Sequence, residues 1–176
     1  LKVMSNYYSN PSEERKIMKL AESKLKGISN LFHGRHVVIS EGERKEIFLV
    51  SDEIFKAYKL MVSKHPSSMG LFFGEYHNDD IRFSLPAITE YNRISDYHQV
   101  VIHRSAEQKF LYGRNLHSEV IVSYDKTLEK GDTVVVCNQK HEPLGVGIVT
   151  GDFKSKSRVQ VINNLMDIGL YLRGKE

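Results

Sequence analysis

Three basic side chains alternate with serines in Phe153-Lys154-Ser155-Lys156-Ser157-Arg158, with no acid among them and an aromatic at the head. Cations beside hydroxyls suit phosphate oxygens, and an aromatic ring suits one unstacked base, which together is the chemistry of a single-stranded nucleic-acid contact. If the stretch is extended, alternation places Lys154, Lys156 and Arg158 on one face. A solvated strand edge blunted by lysine explains the same residues. A further cation, Arg114, follows the stretch Ser105 to Gly113, "SAEQKFLYG". There Ser105 reads as a helix cap, Gln108 occupies the reciprocal capping-box position, and Gly113 takes the left-handed conformation that stops the helix. Glycine lets a ligand approach the backbone and a guanidinium grips phosphate through two parallel hydrogen bonds, although an ordinary helix end with a solvated arginine accounts for both residues too.

Other stretches suggest chemistry and fail on spacing. The glycines at 145, 147 and 151 in "LGVGIVTGD" imitate a nucleotide loop. A dinucleotide fingerprint needs its third glycine three residues after the second, and a P-loop needs Gly-Lys-Ser/Thr, so a tightly packed strand is the better account. His33 and His36 straddle a glycine at the start of a strand without a nearby cysteine or clustered carboxylates, which argues against zinc. His103 and His117 flank the short helix and can hydrogen-bond the barrel or reach RNA; a structural role, at the surface or partly buried, is the favoured reading. The acids Glu13-Glu14, Asp52-Glu53 and Asp79-Asp80 sit at two helix starts and a turn, where the helix dipole and turn chemistry explain them. Cys137, inside "TVVVC", reads as a small buried hydrophobe. No catalytic residue, cofactor or metal site is expected.

These residues have to be positioned by two kinds of architecture. Asn10, Pro11 and Glu13 announce a helix over about 11–26, stopped by Gly27. "RHVVIS" and "EIFLV" form a hairpin, Ser51-Asp52 cap a helix through about Lys64 whose buried side is Ile54, Phe55, Tyr58, Leu60 and Met61, and His65-Pro66 end it. "GLFFGEY" and "IRFSL" are two more strands, and Pro86 opens a short helix through about Asn92. Beyond Asp96 the pattern changes: "QVVIH", "EVIVSY", "TVVVC", "PLGVGIV" and "RVQVI" recur between turns and suggest a small barrel. The only helices there are the one around Ala106 and a terminal one in "NLMDIGLYLRG", capped by Asn164 with Asp167 in its first turn. The fold class expected is therefore α+β: an N-terminal antiparallel sheet with flanking helices over 1–95, then a barrel-like domain over 98–176.

With 176 residues and 40% hydrophobic content, the chain can bury a core. No apolar run approaches bilayer length and the start lacks a signal-peptide core, so no membrane partner is expected. A single cysteine precludes an internal disulfide and suits a reducing interior. The net charge of +3 permits an acidic partner without demanding one.

"AEQKFLYGRNL", "LEKGDTVVVCNQKHEPLGVGIV" and "MDIGLYLR" resemble, in that order, the PUA domain, a small pseudo-barrel that binds RNA, named for pseudouridine synthases and archaeosine transglycosylases. "AEQKFLYG" and "DIGLYLR", with "MGLFFGEYHNDDIRFSLPAI" in the N-terminal half, resemble the Nip-seven family of large-ribosomal-subunit (pre-60S) biogenesis factors, in an archaeal form. The likeness is in motifs from Met69 onward and in the order of elements before it. It implies a non-enzymatic RNA-binding protein acting on precursor ribosomal RNA. Lys154 and Lys156 would fall in a basic patch for uridine-rich single-stranded RNA, and Gly113-Arg114-Asn115 would lie near the RNA cleft. Phe153 and Arg158 complete the expected site. The N-terminal domain would hold protein partners, assembly factors or exosome-associated proteins, and brace the second domain. A cytoplasmic monomer is expected, nucleolar in a eukaryote. The rivals are a PUA-containing translation or transfer-RNA factor, a protein-interaction adaptor with little RNA binding, and an RNA-modifying enzyme.

Overall fold

Asn10 turns the chain into its first helix by chemistry its sequence announces. In the structure, a computed structural model that describes residues 7–42, 44–60, 69–155 and 157–169, Asn10 Oδ1 accepts the backbone N–H groups of Ser12 (3.0 Å) and Glu13 (3.4 Å). Pro11, which has no donor to satisfy, opens helix α1 (Pro11–Lys24). Glu13 does not close a capping box. Its carboxylate accepts the Tyr8 hydroxyl at 2.9 Å and pairs with Lys45, a strand residue the sequence alone could not bring to it. Burial pushes the Glu13 carboxyl up, and the hydrogen bonds from Lys45 and Tyr8 outweigh it, leaving the group below its ordinary value.

The contacts divide the chain into two units, Leu1–Tyr91 and Asn92–Glu176. In the first, strands β1 (Tyr7–Tyr8), β2 (Arg35–Ser40), β3 (Lys45–Ser51), β4 (Leu71–His77) and β5 (Asp80–Phe83) form an antiparallel sheet in chain order. Val38 lies opposite Phe48, while Val37 and Ile39 lie opposite Leu49 and Ile47. Successive residues face opposite sides, so burial of all six means that both faces are covered. On the Val38 face, Phe48, Val50 and Met69 pack with Tyr7, Phe55 and Tyr58. Phe55 and Tyr58 come from α2 (Asp52–Leu60), opened by Ser51 Oγ accepting the Ile54 N–H at 3.4 Å. Ile54 and Leu60, expected on the buried side, are 42% and 81% exposed. Of the described residues expected on that side, Phe55 and Tyr58, three residues apart, pack on the sheet. Met61 and His65-Pro66 lie outside the described residues. A 3₁₀ turn over Ile28–Phe32 and strand β1, neither read from the sequence, complete this part. Helix α3 (Leu85–Ile94) follows β5 in the chain.

The second unit contains β6 (Gln99–Ile102), α4 (Arg104–Leu111), β7 (Leu116–His117), β8 (Ile121–Tyr124), β9 (Thr133–Cys137), β10 (Pro143–Val149) and β11 (Gln160–Asp167). The strand order is β7-β11-β10-β9-β6-β8, with β6 and β9 parallel and the other neighbours antiparallel, which gives a nearly closed barrel-like sheet. Phe110 of α4 is fully buried against Val100, Val134, Val149 and Ile162. β10 carries Gly145 and Gly147 because it lies too close to β11 for side chains. A methyl group at Gly145 would collide with the Met166 carbonyl, and one at Gly147 with Ile162 and the Asn163 carbonyl.

One expectation fails here. Asn164 caps no helix: it lies within β11, opposite Gly147. Its Nδ2 donates to the Phe110 carbonyl at 2.8 Å, and its backbone N–H donates to Asn115 Oδ1 at 3.0 Å. Two tertiary hydrogen bonds thus hold the segment extended where its local pattern suggests a helix start. Residues 170–176, where the rest of that expected helix falls, lie outside the described residues.

Candidate nucleic-acid interface

The site is built at the two ends of α4 and in the turn before β11. Ser105 does not cap α4. The cap is His103, whose Nδ1 accepts the Ser105 N–H at 3.3 Å and lies 2.8 Å from the Ser105 hydroxyl. At the other end, the Gly113 N–H donates to the Phe110 carbonyl (2.9 Å) and the Arg114 N–H to the Lys109 carbonyl (3.1 Å). This is the double hydrogen bond that closes a helix through a left-handed residue, and Gly113 has φ 79°. A methyl group at Gly113 would meet no atom within 4 Å, so the glycine is needed for its φ. Arg114 is exposed and, among the described residues, in no ion pair.

Residues 151–155, 157 and 158 form turns and bends and not an extended strand, so the condition that would align the cations on one face is not met. Asp152 makes the turn: its Oδ1 accepts the Lys154 N–H at 2.8 Å, and its carbonyl accepts the Ser155 N–H at 3.2 Å. The serines hold the loop to itself and to its neighbour. Ser155 Oγ lies 3.0 Å from Ser157 Oγ, and Ser118 Oγ donates to the Ser157 carbonyl at 2.9 Å. Lys154 is exposed; Lys156 lies outside the described residues. The Phe153 ring is half-buried and stacks on Tyr124 with centroids 4.5 Å apart and planes 27° apart. Arg158 Nε lies 3.2 Å from Glu119 Oε1.

The expected residues therefore fall into three places. β7 pairs with β11 so that His117 faces Gln160 and Leu116 faces Ile162. The Gly113-Arg114 turn precedes the Leu116 end of this ladder, and Arg158 precedes its His117–Gln160 end. Phe153 and Lys154 instead line a cleft of about 570 Å³ together with Tyr124, Lys126 and Lys130. The last two lysines escape a reading of the sequence because "DKTLEKGD" (Asp125 to Asp132) contains more acids than bases. In the structure two of those three acids, Asp125 and Asp132, are engaged by backbone and turn groups. Asp125 accepts the His98 N–H (2.9 Å) and the N–H and hydroxyl of Thr127 (2.9 and 2.8 Å), and Asp132 accepts the Glu129 N–H at 2.7 Å. The useful signal is this spacing of acids at turn positions with lysines between them.

The remaining candidates have structural partners. Cys137 is buried with its Sγ 3.3 Å from Asn92 Oδ1, and burial pushes its thiol up to about 12, far from a nucleophile's range. His36 stacks on Phe55 at 4.1 Å and lies 3.0 Å from Asp52. Among the described residues no three His, Cys, Asp or Glu side chains gather as a metal site.

A six-stranded, nearly closed barrel with a short helix plugging it and a basic turn beside an aromatic defines the C-terminal unit as a PUA domain, a module that generally binds RNA. Residues 98–176 match the family described as UPF0113 PUA domain. Three archaeal structures share the architecture over almost the whole chain. A conserved PUA-domain protein of Thermoplasma acidophilum is 17% identical with a TM-score of 0.67, covering 94% of each chain. A hypothetical protein of Pyrococcus horikoshii OT3 is 16% identical with a TM-score of 0.65, covering 92% of this chain and 94% of that one. A PUA domain of Aeropyrum pernix K1, in a tartrate complex, is 13% identical with a TM-score of 0.62, covering 96% and 91%. At these identities the likeness is one of fold. No curated protein matches the sequence.

Proposed function

We propose that the protein is a non-enzymatic RNA-binding factor of large-ribosomal-subunit assembly, related to the Nip-seven family, that holds uridine-rich single-stranded segments of precursor ribosomal RNA. The observation that carries the reading is the exposed Lys154 ammonium on a turn fixed by Asp152, next to the half-buried Phe153 ring, within a PUA domain. Lysines displace counterions from the phosphates and the aromatic wall takes an unstacked base. Arg114, at the far end of β7, extends the basic surface toward a second stretch of the strand. With a net charge of only +3, affinity is moderate. Selectivity then comes from simultaneous engagement of protein partners, assembly factors or exosome-associated proteins, by the N-terminal unit. The exposed Ile54 and Leu60 of α2 support that role. The protein acts as a cytoplasmic monomer in this reading.

Crosslinking of the full chain in its native cells, followed by sequencing of the bound RNA, tests the assignment. Enrichment of precursor large-subunit RNA at uridine-rich segments is the expected result. Enrichment of initiator transfer RNA, or recovery of proteins without RNA, overturns it.

A further inference from the structure

The cleft between the loop after β8 and the loop after β10 unites two features that one ligand class would satisfy. Lys126 and Lys130 come from the first loop and Lys154 from the second. All three are exposed, and among the described residues none is in an ion pair. Asp152 is the one carboxylate among the lining residues, and its Oδ1 is already engaged by the Lys154 N–H. Like charges gathered around a concavity repel one another and concentrate a potential that an anion relieves. The stacked Tyr124 and Phe153 rings add an aromatic wall beside these cations. At about 570 Å³ the cleft falls within the roughly 300–1,000 Å³ typical of small-molecule sites.

An inorganic anion leaves the aromatic wall unused, and a neutral aromatic leaves the lysines unused. A base joined to a phosphate uses both. We infer that this cleft is a nucleotide subsite, in which Lys126, Lys130 and Lys154 receive a phosphate and the Tyr124–Phe153 wall receives its base. The inference rests on the reading of the domain as an RNA binder and adds to the basic turn a second loop to which the sequence does not point. The subsite's nucleotide is one residue of a single-stranded RNA; a free mononucleotide is the other source of the same chemistry.

The test uses the full chain and Lys126→Ala/Lys130→Ala, two exposed positions whose loss leaves the core untouched, with the spectrum of residues outside the cleft as the folding control. Uridine 5′-monophosphate is titrated while the Gly151 and Asp152 amides and the Tyr124 and Phe153 ring signals are followed by NMR. A labelled uridine decamer is titrated separately across a salt series. The expected result is that the mononucleotide moves those signals in the native chain and not in the variant. The variant should also bind the decamer roughly threefold to tenfold more weakly, with a salt slope smaller by up to about 0.7, as a weakened contact to one phosphate requires. Native decamer binding that the variant matches, with Gly151 and the rings unmoved by the mononucleotide, overturns the subsite and leaves the RNA-binding reading standing. If the native chain ignores the decamer, that reading fails, and the mononucleotide titration alone decides: shifts at the rings uphold a nucleotide site, and their absence removes it. Inorganic phosphate reproducing every shift, ring signals included, also overturns it.

Discussion

Arg158 Nε sits 3.2 Å from Glu119 Oε1. The guanidinium that the sequence offers as a phosphate ligand is already turned toward a carboxylate, on a segment held to its neighbour by Ser118. Both side chains are more than half exposed, so the pair adds roughly 0–1 kcal/mol to stability. Its larger effect is on binding: an RNA phosphate must compete with Glu119 for Arg158. Glu119→Gln should therefore raise affinity for uridine-rich RNA about twofold to threefold, and Arg158→Ala should weaken it less than Lys154→Ala does. Equal losses for Arg158→Ala and Lys154→Ala in a fluorescence anisotropy titration would show that the pair opens at no cost.

Gly113 makes a different claim. Its φ of 79° lies where an L side chain is strained, although open space surrounds the position. Gly113→Ala should cost about 1–2 kcal/mol in chemical denaturation while leaving RNA affinity within twofold. A large loss of affinity with unchanged stability would mean that a ligand, not the helix end, requires the glycine.

Cys137 should be inert in the native state. Burial pushes its thiol up to about 12, so at pH 8 the folded protein keeps it neutral, and reaction with a thiol reagent at that pH should follow unfolding. Stoichiometric labelling within minutes in the absence of denaturant would contradict this.

Asp125 gives the second unit a pH dependence. Burial raises its carboxyl, and the N–H groups of Thr127 and His98 with the Thr127 hydroxyl outweigh burial, so the folded value lies below the ordinary one. A depressed folded value stabilises above the unfolded value, about 3.9, and that contribution is lost as pH falls through the folded value. Asp125→Asn should lower the melting temperature at pH 7 and flatten the loss of stability below about pH 4. Parallel melting curves for both proteins between pH 7 and pH 3 would show that the carboxylate is idle.

Legibility from sequence differed from strand to strand for physical reasons. Thr133–Cys137 and Pro143–Val149 are readable to the residue because β-branched runs are bounded there by turn residues. β11 is not, because Asn163 and Asn164 disfavour strands and Asn164 followed by Asp167 imitates a helix start. The bonds to Phe110 and Asn115 that decide the matter join residues about 50 positions apart. His103 escapes notice as a cap because histidine is seldom one, and β1 because two residues carry no period. Within the candidate site, the basic turn and Gly113 are readable from local chemistry. The cleft is not, since Lys126 and Lys130 are outnumbered by neighbouring acids, and the engagement of Asp125 and Asp132 by turn groups appears only in the fold.

The central claim is that the basic turn of the PUA domain clamps phosphates of single-stranded RNA. Its most direct test is binding of a labelled uridine-rich single strand across a salt series, comparing the native chain with Lys154→Ala/Lys156→Ala/Arg158→Ala. Appreciable native affinity, with the variant losing both affinity and about two units of salt slope, is the result this account predicts. A native chain that ignores the RNA, or a variant that binds with the native slope, would contradict it.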